Sequence, residues 1–172
     1  SLGKIRLLGV SNFTQEQIEE AEKYARIDVM QLQYSMVHQK HKALIEWGSQ
    51  RGIDTFTYGS LGAGILSGKF RTLPPLKPGD TRITFYDYFK EPKFSKIQNV
   101  LQVMDEIAAC HQASVSQVAI NWCTQNPGVS TALTGMSKPA HVRQNCDAFA
   151  WQLSDDEMTR LDAAMEREKI AD

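Results

Sequence analysis

The chain has 172 residues, enough for one domain with a buried core, and its 20 acidic and 19 basic side chains nearly cancel. No cluster of Lys and Arg supports a sequence-independent grip on nucleic acid or an anionic membrane, and no apolar run approaches the ~20 residues that span a bilayer. The N-terminus has no basic segment leading into an apolar one, so the expectation is a cytoplasmic protein with no nucleic-acid or membrane partner.

In chain order, the apolar run Ile5–Val10 reads as a buried strand. Thr14-Gln15-Glu16-Gln17 is a capping box that opens a helix with Ile18, Ala21 and Ala25 on one face. A second strand covers Val29–Gln33, and a helix near Lys42–Arg51 stops at Gly52. The third strand, Ile53–Tyr58, sets Ile53, Thr55 and Thr57 on one face against Asp54, Phe56 and Tyr58 on the other. From Gly59 to Pro92 the chain is rich in Gly and Pro and reads as irregular. Loops of that length inside a domain are usually binding loops.

Two helices follow, one with the stripe Ile97, Val100, Leu101, Met104, Ile107 and Ala108, the other opened by Ser114-x-x-Gln117 and carrying Val118, Ala119 and Trp122. Asn126-Pro127-Gly128 ends the second. The fourth strand is Val129–Thr134, and Pro139 suits the first turn of the next helix. A last helix begins at the capping box Ser154-Asp155-Asp156-Glu157 and carries Met158, Leu161 and Met165. Strands alternating with amphipathic helices give an α/β fold with a parallel sheet over residues 1–172. Cys110, Cys123 and Cys146 are odd in number and far apart, which fits buried thiols in a reducing compartment better than a disulfide frame or a metal site. His38, His41 and His111 suit solvated or helix-end positions.

Ser11, Asn12 and Gln31 fall at or near strand C-termini and can both give and take hydrogen bonds, as a ligand carboxamide requires. Asn12 equally suits the turn before a capped helix. Gln31 inside a strand needs partners, because a buried unpaired amide costs roughly 1–3 kcal/mol. Tyr58 ends the third strand before Gly59-Ser60-Leu61-Gly62-Ala63-Gly64 and suits either a ring stacked on a ligand or a core tyrosine. The glycines allow close backbone approach, and Lys69 adds a point charge. Further on, Gly135-Met136-Ser137-Lys138-Pro139-Ala140-His141-Val142-Arg143-Gln144-Asn145 reads as a loop entering a helix N-terminus, a ready anion site.

Together these segments resemble the strand ends of the aldo-keto reductase family, aligned with the second half of its (β/α)8 barrel from the fifth strand onward. The resemblance implies half of a TIM barrel: four parallel strands, surrounding helices and a C-terminal helix, where a complete barrel has ~250 residues. It implies an oxidoreductase that passes hydride between NADP and a small-molecule carbonyl substrate, with NAD as the alternative cofactor. Ser11, Asn12 and Gln31 would grip the nicotinamide amide, and Tyr58 would stack on its ring. Tyr58 through Phe70 resembles the family's tyrosine followed by P-L-G-x-G-x-L-x-G-K, which places Gly59, Ser60, Leu61, Gly62, Gly64 and Lys69 on the pyrophosphate, with Ser60 where most relatives have Pro. Asp80-Thr81-Arg82 matches a segment that folds over the dinucleotide, with Arg82 near the phosphates. Ser137 and Lys138 would hold the 2′-phosphate, while Gln144 and Asn145 reach the adenine. Gly135 stands where one branch of the family has Lys, and His141 where others have Arg or Gln.

The family's catalytic Asp, Tyr, Lys and His come from the first half of the barrel, and no Asp-x-x-x-x-Tyr segment followed by such a Lys and His occurs here. The resemblance thus implies no catalytic residue in this chain, only a cofactor-binding half. A different class of reading is a non-catalytic nucleotide-binding or interaction protein of the same fold. Half a barrel leaves two open sheet edges, so either self-association or a missing N-terminal half is expected.

Overall fold

The first strand of the computed structural model, which describes residues 3–170, is shorter than the apolar run that announces it. β1 covers Gly9–Ser11 alone, and the preceding Ile5 and Leu7 are 71% and 65% exposed. Residues 5–8 therefore form no buried strand. The cause is their place at a sheet edge, where among the described residues β1 pairs only with β2 (Val29–Gln33). Between them α1 (Gln15–Glu22) begins at the expected capping box, in which Thr14 and Gln17 bond each other's backbone N–H groups. It ends three residues before Ala25, which is exposed outside the helix.

After β2 come α2 (Lys42–Gln50) and β3 (Asp54–Tyr58). The stretch between β3 and the next long helix is not structureless. It holds a 3-10 segment at Gly62–Ser67, a short helix α3 (Thr81–Phe85) that Asp80 caps by accepting from the Arg82 N–H, and a 3-10 turn at Asp87–Phe89. Next are α4 (Lys93–Cys110), α5 (Val115–Gln125), β4 (Val129–Ala132), α6 (Pro139–Cys146), a 3-10 turn at Asp147–Ala150, and α7 (Asp155–Glu168).

The four strands are parallel and lie in sequence order, β1-β2-β3-β4. Strand alternation sorts the two faces. Met30, Leu32, Thr55 and Thr57 are buried toward the helices, where Ile97, Leu101, Met104, Val118 and Trp122 complete the core. Gln31, Gln33, Phe56 and Tyr58 point to the other face and remain half-exposed. A parallel sheet is normally covered on both faces; this one is covered on one.

Polar groups inside the core are tied down. Thr57 Oγ1 lies 3.3 Å from both Ser60 Oγ and Cys123 Sγ, and Ser60 Oγ donates to the Leu133 carbonyl at 3.4 Å, so this cluster links the ends of β3 and β4. Burial pushes the Cys123 thiol and the Tyr34 phenol up from their ordinary values. Of the three cysteines only Cys123 is buried; Cys110 and Cys146 are exposed at the last residues of α4 and α6. His111 caps α4 and has a definite partner, with Nε2 2.8 Å from Glu157 Oε1 and its ring stacked on Trp151. His41 Nδ1 lies 3.0 Å from the Gln33 carbonyl at the start of α2.

Candidate cofactor site

Because the strands are parallel, their C-terminal ends open on one side of the sheet, and the predicted residues meet there. Ser11 stands opposite Gln31, and Gln31 opposite Phe56, in register. The Ser11 hydroxyl donates to the Gln31 carbonyl at 3.2 Å, and the Asn12 N–H donates to the same oxygen at 3.1 Å. Asn12 turns the chain out of β1 with φ of 56°, a left-handed conformation that Asn tolerates better than most residues. That turn carries its carboxamide across the sheet, where Oδ1 accepts a 3.1 Å hydrogen bond from the Tyr58 hydroxyl. Residues 46 positions apart are thus joined over the end of β2.

The Gln31 carboxamide is half-buried on the open face and makes no hydrogen bond to a described residue, and the Asn12 amide N–H2 is likewise unengaged. A donor and a donor–acceptor pair stand beside an aromatic ring.

The glycine-rich turn after Tyr58 is a sequence of tight bends. Positive φ recurs at Gly59, Gly62, Ala63, Gly64 and Gly68. Gly62 is packed as well as bent, since a Cβ there would lie 2.7 Å from Val37 Cγ2, whereas one at Gly64 would meet only Phe70 at 3.8 Å. Leu61 packs against the core, while Ser60 is buried with its hydroxyl turned inward. The exposed Lys69 ammonium sits 5.5 Å from the Phe70 ring centroid.

Arg82 lies 5.2 Å over the same ring and forms an ion pair with Asp80. The Arg82 side chain and backbone N–H both donate to Asp80 and pull its carboxyl down to about 2. This contribution is present above the unfolded value near 4 and is lost as pH falls through about 2. The Asp80 carboxyl carbon, followed by NMR, should titrate near 2 and move back toward 4 in Arg82→Ala; a wild-type midpoint near 4 would show that the pair does not form in solution.

Beyond β4, Gly135, Ser137 and Lys138 are exposed, and α6 starts with Pro139 in its first turn. Pro139 has no N–H, and His141 N–H is taken by the Lys138 carbonyl at 3.0 Å, so the helix end has fewer free donors than its sequence suggests. Asn145 is buried and donates to Thr134 Oγ1 at 3.1 Å, fixing the loop to the helix. Gln144 offers its carbonyl to Gln117 and, with Pro139, Ala140, Arg143 and Asp147, lines a shallow depression of about 440 Å³.

The model of the aldo/keto reductase family matches residues 1–166. The chain belongs to that family. It is 27% identical over 166 residues to the aldo-keto reductase YhdN of Bacillus subtilis, covering 95% of this chain and 50% of that protein. The NADH-specific methylglyoxal reductase of Escherichia coli is 27% identical, with 94% of this chain and 49% of the relative covered. Among solved structures, the glycerol dehydrogenase of Gluconobacter oxydans superposes with a TM-score of 0.89 at 28% identity, over 96% of this chain and 50% of that one. The chain spans about half the length of the relatives it matches, and its four parallel strands with their helices are half of an aldo-keto reductase TIM barrel.

In this aldo-keto reductase half, the structure brings together Ser11, Asn12, Gln31 and Tyr58. It sets Gly59–Lys69 and Arg82 in one adjoining loop and Gly135–Asn145 in another. Arg143 is an added basic residue on the Gln144 depression; its place one turn after Pro139 is the signal that a helix-period reading of the segment offered. Among the described residues no helix is long and apolar enough to cross a membrane.

Proposed function

We propose that this chain is the cofactor-binding half of an NADP-dependent aldo-keto reductase that interconverts a small carbonyl compound and its alcohol. The observation that carries the reading is the Tyr58–Asn12 hydrogen bond, which holds an aromatic ring beside the unengaged Asn12 amide N–H2 on the sheet face that also carries the unengaged Gln31 carboxamide. A nicotinamide fits that set. Its amide finds a donor in Asn12 and both a donor and an acceptor in Gln31, while Tyr58 is held where its ring can cover one face of the heterocycle.

When bound, the reduced cofactor supplies hydride to a carbonyl carbon. The residues of this chain bind and orient. Asn12 and Gln31 fix the rotation of the amide, Tyr58 blocks one ring face, and Gly59, Leu61, Gly62, Gly64 and Lys69 would accommodate the pyrophosphate, with Ser60 supporting the turn from inside. Ser137, Lys138 and Arg143 supply a hydroxyl and two cations for a 2′-phosphate, which favours NADP over NAD. Gln144 lies against the depression suited to adenine, and Asn145 holds its helix in place. The proton for the carbonyl oxygen would come from an acid outside these residues. Three unpaired cysteines suit the reducing cytoplasm.

NADPH titrated into the chain, followed by its own fluorescence, should show saturable binding that weakens by roughly 5–10-fold in Tyr58→Ala, the worth of one aromatic stack. Absence of saturation in the wild-type chain, or tighter binding of NADH than of NADPH, would remove this reading or its cofactor preference respectively.

A further inference from the structure

A cavity of about 360 Å³ opens between the end of β2 and the segment that joins α3 to α4, a size within the roughly 300–1,000 Å³ of small-molecule sites. Its lining includes Gln33, Thr84, Phe85, Tyr86, Asp87 and Lys90. Gln33 stands opposite Tyr58 in register, and a Cβ on Gly59 would lie 3.5 Å from its Cγ. It shares the open face with Gln31 but stands one side-chain row, roughly 7 Å, further along the strand, so the cavity lies just beyond the strand-end site. The facing segment is anchored from beneath. Tyr88 and Phe89 are buried, and Tyr86 stacks on Tyr88 with centroids 5.3 Å apart. Phe85, by contrast, is 74% exposed.

A single exposed phenylalanine is ordinary. Here it borders a cavity together with four polar groups: the Gln33 carboxamide, the Thr84 and Tyr86 hydroxyls and the Lys90 ammonium. None of the four makes a hydrogen bond or ion pair with another described residue. Charge does not dominate the set. Asp87 is paired with Lys93 at 3.1 Å, which leaves Lys90 as a lone exposed cation, and one exposed ammonium holds an anion only weakly. What remains is an amide and two hydroxyls that both give and take hydrogen bonds, beside aromatic rings whose negative faces attract the positive hydrogens of C–H bonds. A sugar or polyol offers both complements, hydroxyls that donate and accept and a face of C–H bonds. We propose that this cavity holds the tail of the substrate, and that the tail is a chain of hydroxylated carbons, as in an aldose or its polyol. Gln33 and Thr84 bind its hydroxyls, and Phe85 covers its C–H face. Calling this ligand the substrate rests on the cofactor-half reading above, whereas the preference for a hydroxylated ligand rests on the cavity alone.

Sorbitol added to the nucleotide-free protein, followed by amide NMR, should give saturable shifts centred on Gln33, Thr84, Phe85 and Lys90. Phe85→Ala should weaken that binding roughly 3–10-fold, the worth of one ring face, and because the ring is exposed the fold should stand. Gln33→Leu should weaken it by a similar factor, about that of one hydrogen bond, while Lys90→Met should change it by less than about threefold. Shifts that do not saturate, shifts centred elsewhere, or unchanged affinity in folded Phe85→Ala and Gln33→Leu would each overturn the proposal. So would tighter binding of benzoate than of sorbitol, or a larger loss in Lys90→Met, either of which makes the cavity an anion site. NADPH titrated into the same samples separates this inference from the reading it rests on. Saturation by NADPH without any by sorbitol overturns the cavity assignment alone; sorbitol bound at these residues without saturation by NADPH keeps the hydroxylated-ligand site and ends its standing as a substrate site.

Discussion

Trp122→Ala is expected to remove about 3–5 kcal/mol of stability, a large share of the ~5–15 kcal/mol that a native domain has in total. Trp122 is only 1% exposed in the middle of α5 and joins three parts of the fold. Its ring stacks on Tyr34 with centroids 5.5 Å apart, its Nε1–H donates to Asp162 Oδ1 of α7 at 2.8 Å, and Tyr34 in turn donates to Asn126. Alanine deletes the ring, leaves a cavity between helix and sheet, and frees the Tyr34 face. Trp122→Phe keeps an aromatic surface and loses mainly the bond to Asp162, whose carboxylate is exposed and can turn to water. Its cost should be nearer 1–2 kcal/mol. Urea titrations followed by far-ultraviolet circular dichroism, with unchanged slope, would measure both. Equal midpoints for the two variants would mean that packing of the ring is not what holds α5 to the sheet.

Features set by neighbouring residues were legible in the sequence. Each capping box is present in the structure, Thr14 with Gln17, Ser114 with Gln117 and Ser154 with Glu157, because a hydroxyl and an amide or carboxylate three residues apart satisfy N–H groups of their own helix. The alternation through Ile53–Tyr58 also appears as written, with Thr55 and Thr57 buried and Phe56 and Tyr58 on the open side. Burial at a distance was not legible. Ile5 and Leu7 are apolar enough for a core strand, yet among the described residues no strand pairs with β1 on that side, and they are exposed. Cys110 and Cys146 are the last residues of their helices and lie outside the faces that bury Ile107 and Ala108 in α4 and Asn145 in α6. The segment after β3 has Gly and Pro enough to look irregular, but the same glycines permit successive 3-10 turns.

The site divides in the same way. That Asn12 and Tyr58 lie at strand ends and Gln31 inside a strand follows from pattern. That Tyr58 bonds Asn12 follows from parallel register and the left-handed turn at Asn12, which only the folded sheet supplies. Ser60 shows the converse. Its side chain is committed inward to Thr57 and Leu133, so an outward-facing role for the hydroxyl gives way to a bracing one. Arg82 is similarly committed to Asp80 and the Phe70 ring, and would have to exchange that carboxylate to reach a phosphate.

The glycine turn offers a way to separate architecture from ligand contact. Gly62→Ala must hold a Cβ in the left-handed region at φ of 55° and push it against Val37 Cγ2 at 2.7 Å, two costs that together reach about 2–5 kcal/mol. The neighbouring Ala63 already adopts φ of 54°, so the conformation alone is bearable and the contact with Val37 supplies much of the damage. Gly64→Ala carries the conformational cost, about 1–2 kcal/mol, with open space around the new methyl except for Phe70 at 3.8 Å. That space is where a pyrophosphate would approach the backbone. Gly62→Ala should therefore lower the urea midpoint markedly, whereas Gly64→Ala should leave the fold standing and weaken NADPH by roughly tenfold, about 1.4 kcal/mol of crowding. Unchanged NADPH affinity in a folded Gly64→Ala chain would take the pyrophosphate away from this turn, and a Gly62→Ala variant as stable as wild type would mean that the Val37 contact relaxes at no cost.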